Sequence, residues 1–305
     1  MEFWMTVLVI AGIYGIFTLG LQLNVGLTGI PNLGQAGFMA VGAYAMAIFI
    51  VDLHWEALPA LVVAVAVTVV AGCLVGAGSA RLRGDYLAMA TLAFAEIIQY
   101  TAMNSSLTGA SVGLFGFGGS WTTISDWMLS RLPFGLGAYS ELPLLAVTWV
   151  TFALVYGALV VLRRSPWGRV LRAVRDEEDA AESVGKSVYL VRIQSLALAA
   201  GIAAVAGFLL ALSISVVYPD AFSADFTFIG FAIMILGGIG SLGGVIVGSL
   251  LLWTVLEGAT FLQLPLSADR VAAVQMLIVG LVLVIAMVVR PQGMFGKHQE
   301  MVLRV

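Results

Sequence analysis

Ala180, Gly185, Lys186 and Ser187 stand at the spacing of a relaxed phosphate-binding loop, with four residues between the first small residue and a Gly-Lys-Ser triplet. A working loop of that kind follows a buried strand and opens a helix, so that free backbone N–H groups face phosphate. Here the residues before it, Asp176, Glu177, Glu178, Asp179 and Glu182, are acidic and read as helix. They would repel a nucleotide, and no ATP binding is expected on this chain. Two histidines, His54 and His298, are isolated, and the one cysteine, Cys73, sits in an apolar run where a small core residue is expected. Neither metal-ligand spacing nor a nucleophile with a nearby base is present, so no catalytic residue, metal or cofactor is expected.

Glu96 is the other chemically pointed residue. It lies inside an apolar run, where an ionised side chain at the centre of a bilayer costs roughly 2.5–3.5 kcal/mol on insertion scales. It must therefore face protein or water. Thr91 and Gln99 lie nearby and make a partly polar helix face. Two readings stay open: a residue lining a path through the membrane, or a polar clasp between helices. Glu257, closer to the end of its run, favours the clasp.

The elements that position these residues are set by hydrophobicity. Of 305 residues, 61% are hydrophobic and 10% charged, and mean hydropathy is +1.06. A soluble domain carries roughly a quarter charged residues and would lack the polar surface to cover so much apolar side chain. A spanning helix needs about 20 apolar residues. Such runs fall near 4–25, 33–51, 57–80, 86–103, 141–162, 192–217, 226–240, 241–262 and 270–289. The fold class expected is all-α, a single polytopic bundle over 1–305 of about 8–10 spans. Gly26–Gly37 and Gly237–Gly244 read as breaks or re-entrant turns, which membranes tolerate only where protein or a cavity surrounds them. Gly29-Ile30-Pro31-Asn32-Leu33-Gly34 faintly echoes Gly238-Ile239-Gly240-Ser241-Leu242-Gly243. Either an internal repeat or the general likeness of glycine turns accounts for it.

Net charge is −3, which gives no sign of nucleic acid as a partner. The N-terminus has no basic residue before its first apolar run, so that run reads as a retained span. Seven of the 14 Lys and Arg residues, Arg163, Arg164, Arg169, Arg172, Arg175, Lys186 and Arg192, fall in 163–192. The positive-inside rule makes this segment cytoplasmic. Alternation then puts Arg81, Arg83, Arg290, Lys297, Arg304 and the C-terminus inside, and the N-terminus and loop 104–140 outside. Within the segment, Pro166 and Gly168 break the chain, and Arg169–Val184 reads as one amphipathic helix. Val170, Ala173, Val174, Ala180, Ala181 and Val184 form its apolar stripe, and Gly185 ends it. The stripe must dock, either on its own membrane domain and lipid or in the groove of a partner.

Asp179-Ala180-Ala181-Glu182-Ser183-Val184-Gly185 resembles the EAA-x-x-x-G loop of ABC importer permeases, with Asp in place of the usual Glu. Asn32–Phe38 with Gly42-Ala43-Tyr44, Gly84–Glu96, Leu107–Leu114, Leu236–Gly244 and Arg290–Gly296 are similar to signatures of the branched-chain amino acid ABC permeases, M-type subunit. The resemblance spans residues 24–296 in the family's order. It implies a multi-pass subunit of a bacterial-type plasma (inner) membrane. Its partners would be a sister permease subunit, two cytoplasmic ATPase subunits that carry ATP and Mg, and an external substrate-binding protein. Arg169, Arg172, Asp179, Ala180, Ala181 and Gly185 would then couple to the ATPase within 163–191. Gly34, Gln35, Gly37, Thr91, Glu96, Gly237, Gly238 and Gly240 would line the path, where broken helices offer N–H groups to a carboxylate and carbonyls to an ammonium; close packing of helices through small residues is the other reading. The same machine carrying urea or short amides stays open, as does a stand-alone secondary transporter.

Overall fold

A computed structural model describes residues 2–82, 84–131, 140–260 and scattered positions from 277 to 295. Among them the chain is an all-α polytopic helical bundle. The helices are α1 (Glu2–Leu21), α2 (Gln35–Val51), α3 (Ala57–Ser79), α4 (Asp85–Asn104), α5 (Gly118–Ser130), α6 (Leu142–Arg164), α7 (Pro166–Asp176), α8 (Glu178–Ser183), α9 (Val188–Ile214), α10 (Ala224–Gly237) and α11 (Leu242–Thr260). Eight of the nine apolar runs become helices close to their expected bounds. The ninth, 270–289, is described only at scattered helical positions, and the basic residues Arg83, Arg290, Lys297 and Arg304 lie outside the described residues.

Burial separates the centre from the rim. In α1 with its continuation, and in α9, 72% of the most apolar stretch is buried, against 22% in α3 and α6. Leu58, Val62, Val67, Val70 and Leu74 of α3 point outward, an aliphatic surface that lipid solvates without cost. Cys73 is on this exposed side, which corrects its expected place in the core. The helix turns every 3.6 residues, and Gly72 and Gly76, not Cys73, face α9. α9 packs on α2 and α3 through small residues: Gly42 lies on Ala204, and Gly72 on Ala197 and Ala200. Tyr14 of α1 stacks on Phe226 of α10, ring centroids 4.0 Å apart, and meets Trp253 of α11.

α7 and α8 define one end of the bundle, the near face. At the opposite end the short strands β1 (Leu114–Phe115) and β2 (Val216–Val217) pair antiparallel, Leu114 opposite Val217. They join the segment after α4 to the exit of α9. The described part of the loop expected over 104–140 therefore lies at the far face, and it carries α5.

The first break is a π-helical turn. α1 gives way at Gln22 to a π-helix over Gln22–Thr28, closed by Gly29 with φ +75°. Gln22, Asn24 and Thr28 are buried. Thr28 Oγ1 donates to the Leu23 carbonyl at 3.0 Å, and the N–H of Ile30 goes to the Asn24 carbonyl at 2.8 Å. The N–H groups of Gly29 and Ile30 both reach the Asn24 carbonyl, five and six residues back, which widens the turn beyond the α ladder. Such turns concentrate at functional sites.

Candidate functional site: the near face and its two helix breaks

The basic segment after α6 is two helices, not one. Ser165 caps α7, accepting from the N–H of Gly168 at 3.1 Å, with Pro166 as the first helical residue. Its missing N–H costs nothing there. The expected break after α6 falls at Ser165, and Pro166 and Gly168 already belong to the new helix, which starts three residues before the expected Arg169. The chain turns extended at Glu177 (φ −158°, ψ 106°) and restarts as α8. That kink rotates the expected apolar stripe apart. Leu171, Val174 and Ala181 are buried, whereas Ala173, Ala180 and Val184 are exposed, Val184 at 75%. Gly185 ends α8 as expected, with φ +78°. The N–H of Gly185 donates to Glu182 at 2.8 Å and that of Lys186 to Ala181 at 3.1 Å, the paired bonds of a Schellman cap.

Three arginines bind this segment into the bundle, each at the end of a different membrane helix. Arg172 Nη1 donates to the Arg163 carbonyl at the end of α6, 3.0 Å. Arg175 Nη1 donates to the Gly26 carbonyl in the π-helical turn, 2.7 Å. Arg192, 6% exposed at the start of α9, donates to the carbonyls of Ala80 and Leu82 beyond α3, at 2.8 and 3.0 Å, and pairs with Glu178 of α8. Helix C-termini leave carbonyls without ladder partners and carry partial negative charge, so guanidinium is a fitting cap. Trp167 adds a bond from its indole N–H to Gln194 of α9 at 2.7 Å. Of the expected coupling residues, Arg172 faces the bundle and Ala181 is buried in it. Arg169, Asp179, Ala180 and Gly185 are exposed.

The expected path residues other than Glu96 fall into two clusters. In the first, Gly34 lies on the backbone carbonyl of Thr91 and Gly37 on Ala95. Gln35 Nε2 donates to the Ala199 carbonyl at 3.0 Å, and its Oε1 accepts from Asn32 at 2.8 Å. Side chains take N–H groups around the start of α2: Leu33 donates to Thr91 Oγ1, Gly34 to Asn32 Oδ1 and Ala36 to Thr227 Oγ1, at 3.0–3.1 Å. Packing closes this cluster off in this conformation. In the second cluster Gly237 and Gly244 lie backbone to backbone, and Gly238 and Gly240 have φ of +107° and +79°. Gln22 bridges the loop: its Nε2 donates to the Gly238 carbonyl at 2.9 Å, and its Oε1 accepts from the N–H of Gly240 at 2.7 Å. Met294 and Phe295, from the C-terminal signature, donate their N–H groups to Leu236 and Gly237 at 3.0 and 3.1 Å.

Glu96 joins neither cluster. It is half-buried, the twelfth of 20 residues in α4, beside an outward stripe of Tyr86, Met89, Ile97 and Tyr100. Gln99, one turn on, reaches Asp220 at 3.4 Å on the far face. Glu96 makes no hydrogen bond among the described residues, so the intrachain clasp is not formed there. His54 is exposed between α2 and α3, and the described residues hold no metal-ligand cluster.

Arg175, Arg192 and Gln22 are the residues that sequence reasoning passed over. The arginines entered it only as charge. Gln22 and Asn24 carried a signal, being carboxamides inside an apolar run.

The family model described as branched-chain amino acid transport system / permease component matches residues 3–287. The chain is 34% identical to the high-affinity branched-chain amino acid transport system permease protein LivM of Escherichia coli K12, over 92% of this chain and 67% of the relative. It is 29% identical to the probable branched-chain amino acid transport permease protein LivM of Methanocaldococcus jannaschii, over 78% and 76%. It is 26% identical to the probable LivH permease protein of that organism, over 76% and 72%. No solved structure matches the chain significantly. A helical bundle with breaks at two glycine segments, matched over nearly its whole length, places the chain in the permease component family of branched-chain amino acid transport systems.

Proposed function

We propose that the chain is one of two membrane subunits of an ATP-driven importer of branched-chain amino acids. An external binding protein delivers the substrate at the far face, and two ATPase subunits, which hold ATP and Mg, grip α7 and α8 at the near face. That face is then cytoplasmic, as its basic residues suggest. The single observation that carries this is the triple arginine anchorage. A hydrophilic segment tied to the ends of α6, α3 and the π-helical turn passes any push on its exposed side to three spans at once. The exposed side offers Arg169, Asp179, Ala180 and Val184 to the partner.

The second membrane subunit packs against the outward face of α4, and the substrate path runs between them past Glu96. A carboxylate half-open at mid-span favours protein or water over lipid as its neighbour. The substrate is a zwitterion with an apolar side chain, and a mostly apolar wall with one carboxylate for the ammonium suits it. High selectivity is left to the external protein.

The test is uptake by the reconstituted complex. Labelled leucine, isoleucine or valine should accumulate only with ATP, binding protein and ATPase subunits together. Accumulation driven by an ion gradient without ATP would refute the proposal, and a binding protein selective for urea or short amides would redirect the substrate.

A further inference from the structure

We propose that Gln22 and Arg175 are positioning residues of the transport cycle, and that the π-helical turn between them makes the glycine loop 237–241 follow α7. This rests on the reading of α7 and α8 as the segment gripped by the ATPase.

The turn is built so that its carbonyls are read from outside. An α-helical Gly26 carbonyl would accept from Ile30, but the N–H of Ile30 goes to Asn24. The next residue, Pro31, has no N–H to give. Arg175 supplies the donor at 2.7 Å, and its Cα and side chain pack on Gly29, where any Cβ would meet them at 3.0–3.4 Å. α7 therefore cannot shift without carrying the turn or breaking this contact.

At its other end the same turn holds the glycine loop through one side chain. The amide of Gln22 presents a donor and an acceptor to Gly238 and Gly240, two residues apart, and no described residue intervenes. Gly26 itself lies against Gly240, with 2.9 Å from a Cβ position at Gly26 to the Gly240 nitrogen. A fully buried carboxamide loses much if its partners leave, so the loop and the turn move together or the latch opens as a discrete event. Ile239 at the tip is 51% exposed and reports on either outcome.

The experiment uses the whole complex in proteoliposomes, in a Cys73→Ser background carrying Ile239→Cys. Thiol labelling is compared between nucleotide-free and ATP/vanadate-trapped states. The parent is expected to change its labelling rate at least about threefold, as a shift between two loop states requires. Gln22→Glu keeps the acceptor and loses the donor, and Arg175→Met loses the contact to Gly26. Each should abolish the nucleotide response and lower uptake per ATP hydrolysed about tenfold, with the double variant no worse than the poorer single one. Arg175→Lys, which keeps one charged donor, should restore most of the response. Gln22→Met replaces the acid if that variant does not assemble. Labelling in the parent that ignores nucleotide, a full response in both variants, or losses that multiply in the double variant would each overturn the inference. A parent complex without ATP-driven uptake would instead refute the functional reading beneath it.

Discussion

Arg192 on α9 holds the carbonyl of Ala80, 2.8 Å away, although 112 residues separate them in the chain. The same guanidinium pairs with Glu178, so one buried side chain joins the end of α3, the start of α9 and α8.

Arg192→Met should therefore be among the most destabilising single changes at the near face. It strips two helix-end carbonyls of their donor and breaks the ion pair with Glu178, a loss of about 3 kcal/mol. Arg192→Lys keeps the charge but not the fork, and should lose about half as much. Thermal unfolding in detergent reads both, and a melting temperature equal to the parent's for Arg192→Met would contradict the anchoring role.

The proposed docking surface is best tested at Val184 and Ala180, not at Arg172. Reversing Arg172 together with Asp179, or placing a bulky charge at Gly185, looks from sequence like a clean way to uncouple ATP hydrolysis from transport. In the structure Arg172 holds α6 and Gly185 needs a positive φ, so both changes would also disturb the fold. Val184→Arg changes only exposed surface and should leave stability within about 0.5 kcal/mol. Copurification of the ATPase subunits should fall about tenfold, since a charge in an apolar contact costs 1 kcal/mol or more. Unaltered copurification would remove α8 from the contact.

Neighbouring glycines in the second break should respond oppositely. A Cβ on Gly244 would run into the carbonyl of Gly237, whereas one on Gly243 meets nothing closer than the Tyr156 hydroxyl at 3.8 Å. Gly244→Ala should cost about 1–3 kcal/mol by overpacking. Gly243→Ala should be neutral or slightly stabilising, because alanine favours helix. Folded yield after detergent extraction separates them, and equal yields would mean that the α10–α11 contact is looser than described.

Glu96→Gln distinguishes a path residue from a structural one. With no hydrogen bond of Glu96 to lose among the described residues, the amide should melt at or above the parent's temperature. Uptake should drop about tenfold if the carboxylate meets the substrate ammonium, an effect of the size of one charge-assisted hydrogen bond. A lower melting temperature with normal uptake would assign Glu96 to a clasp with another subunit.

Much of this was legible in the chain because a bilayer reads sequence locally. About 20 apolar residues in a row suffice for a span, so the runs at 57–80 and 141–162 became α3 and α6 almost unchanged. The breaks at Gly26–Gly37 and Gly237–Gly244, the crowding of basic residues after α6, and the glycine end of α8 were equally local. What each charge or amide touches was not. Gln22 meets Gly238 across 216 residues of chain. Arg175 found the Gly26 carbonyl that Ile30 and Pro31 leave open, and Glu177 split an even amphipathic pattern so that Glu178 could turn inward to Arg192. Such partnerships depend on which helix end lies beside which, a consequence of how the spans pack, and apolar periodicity carries no record of it.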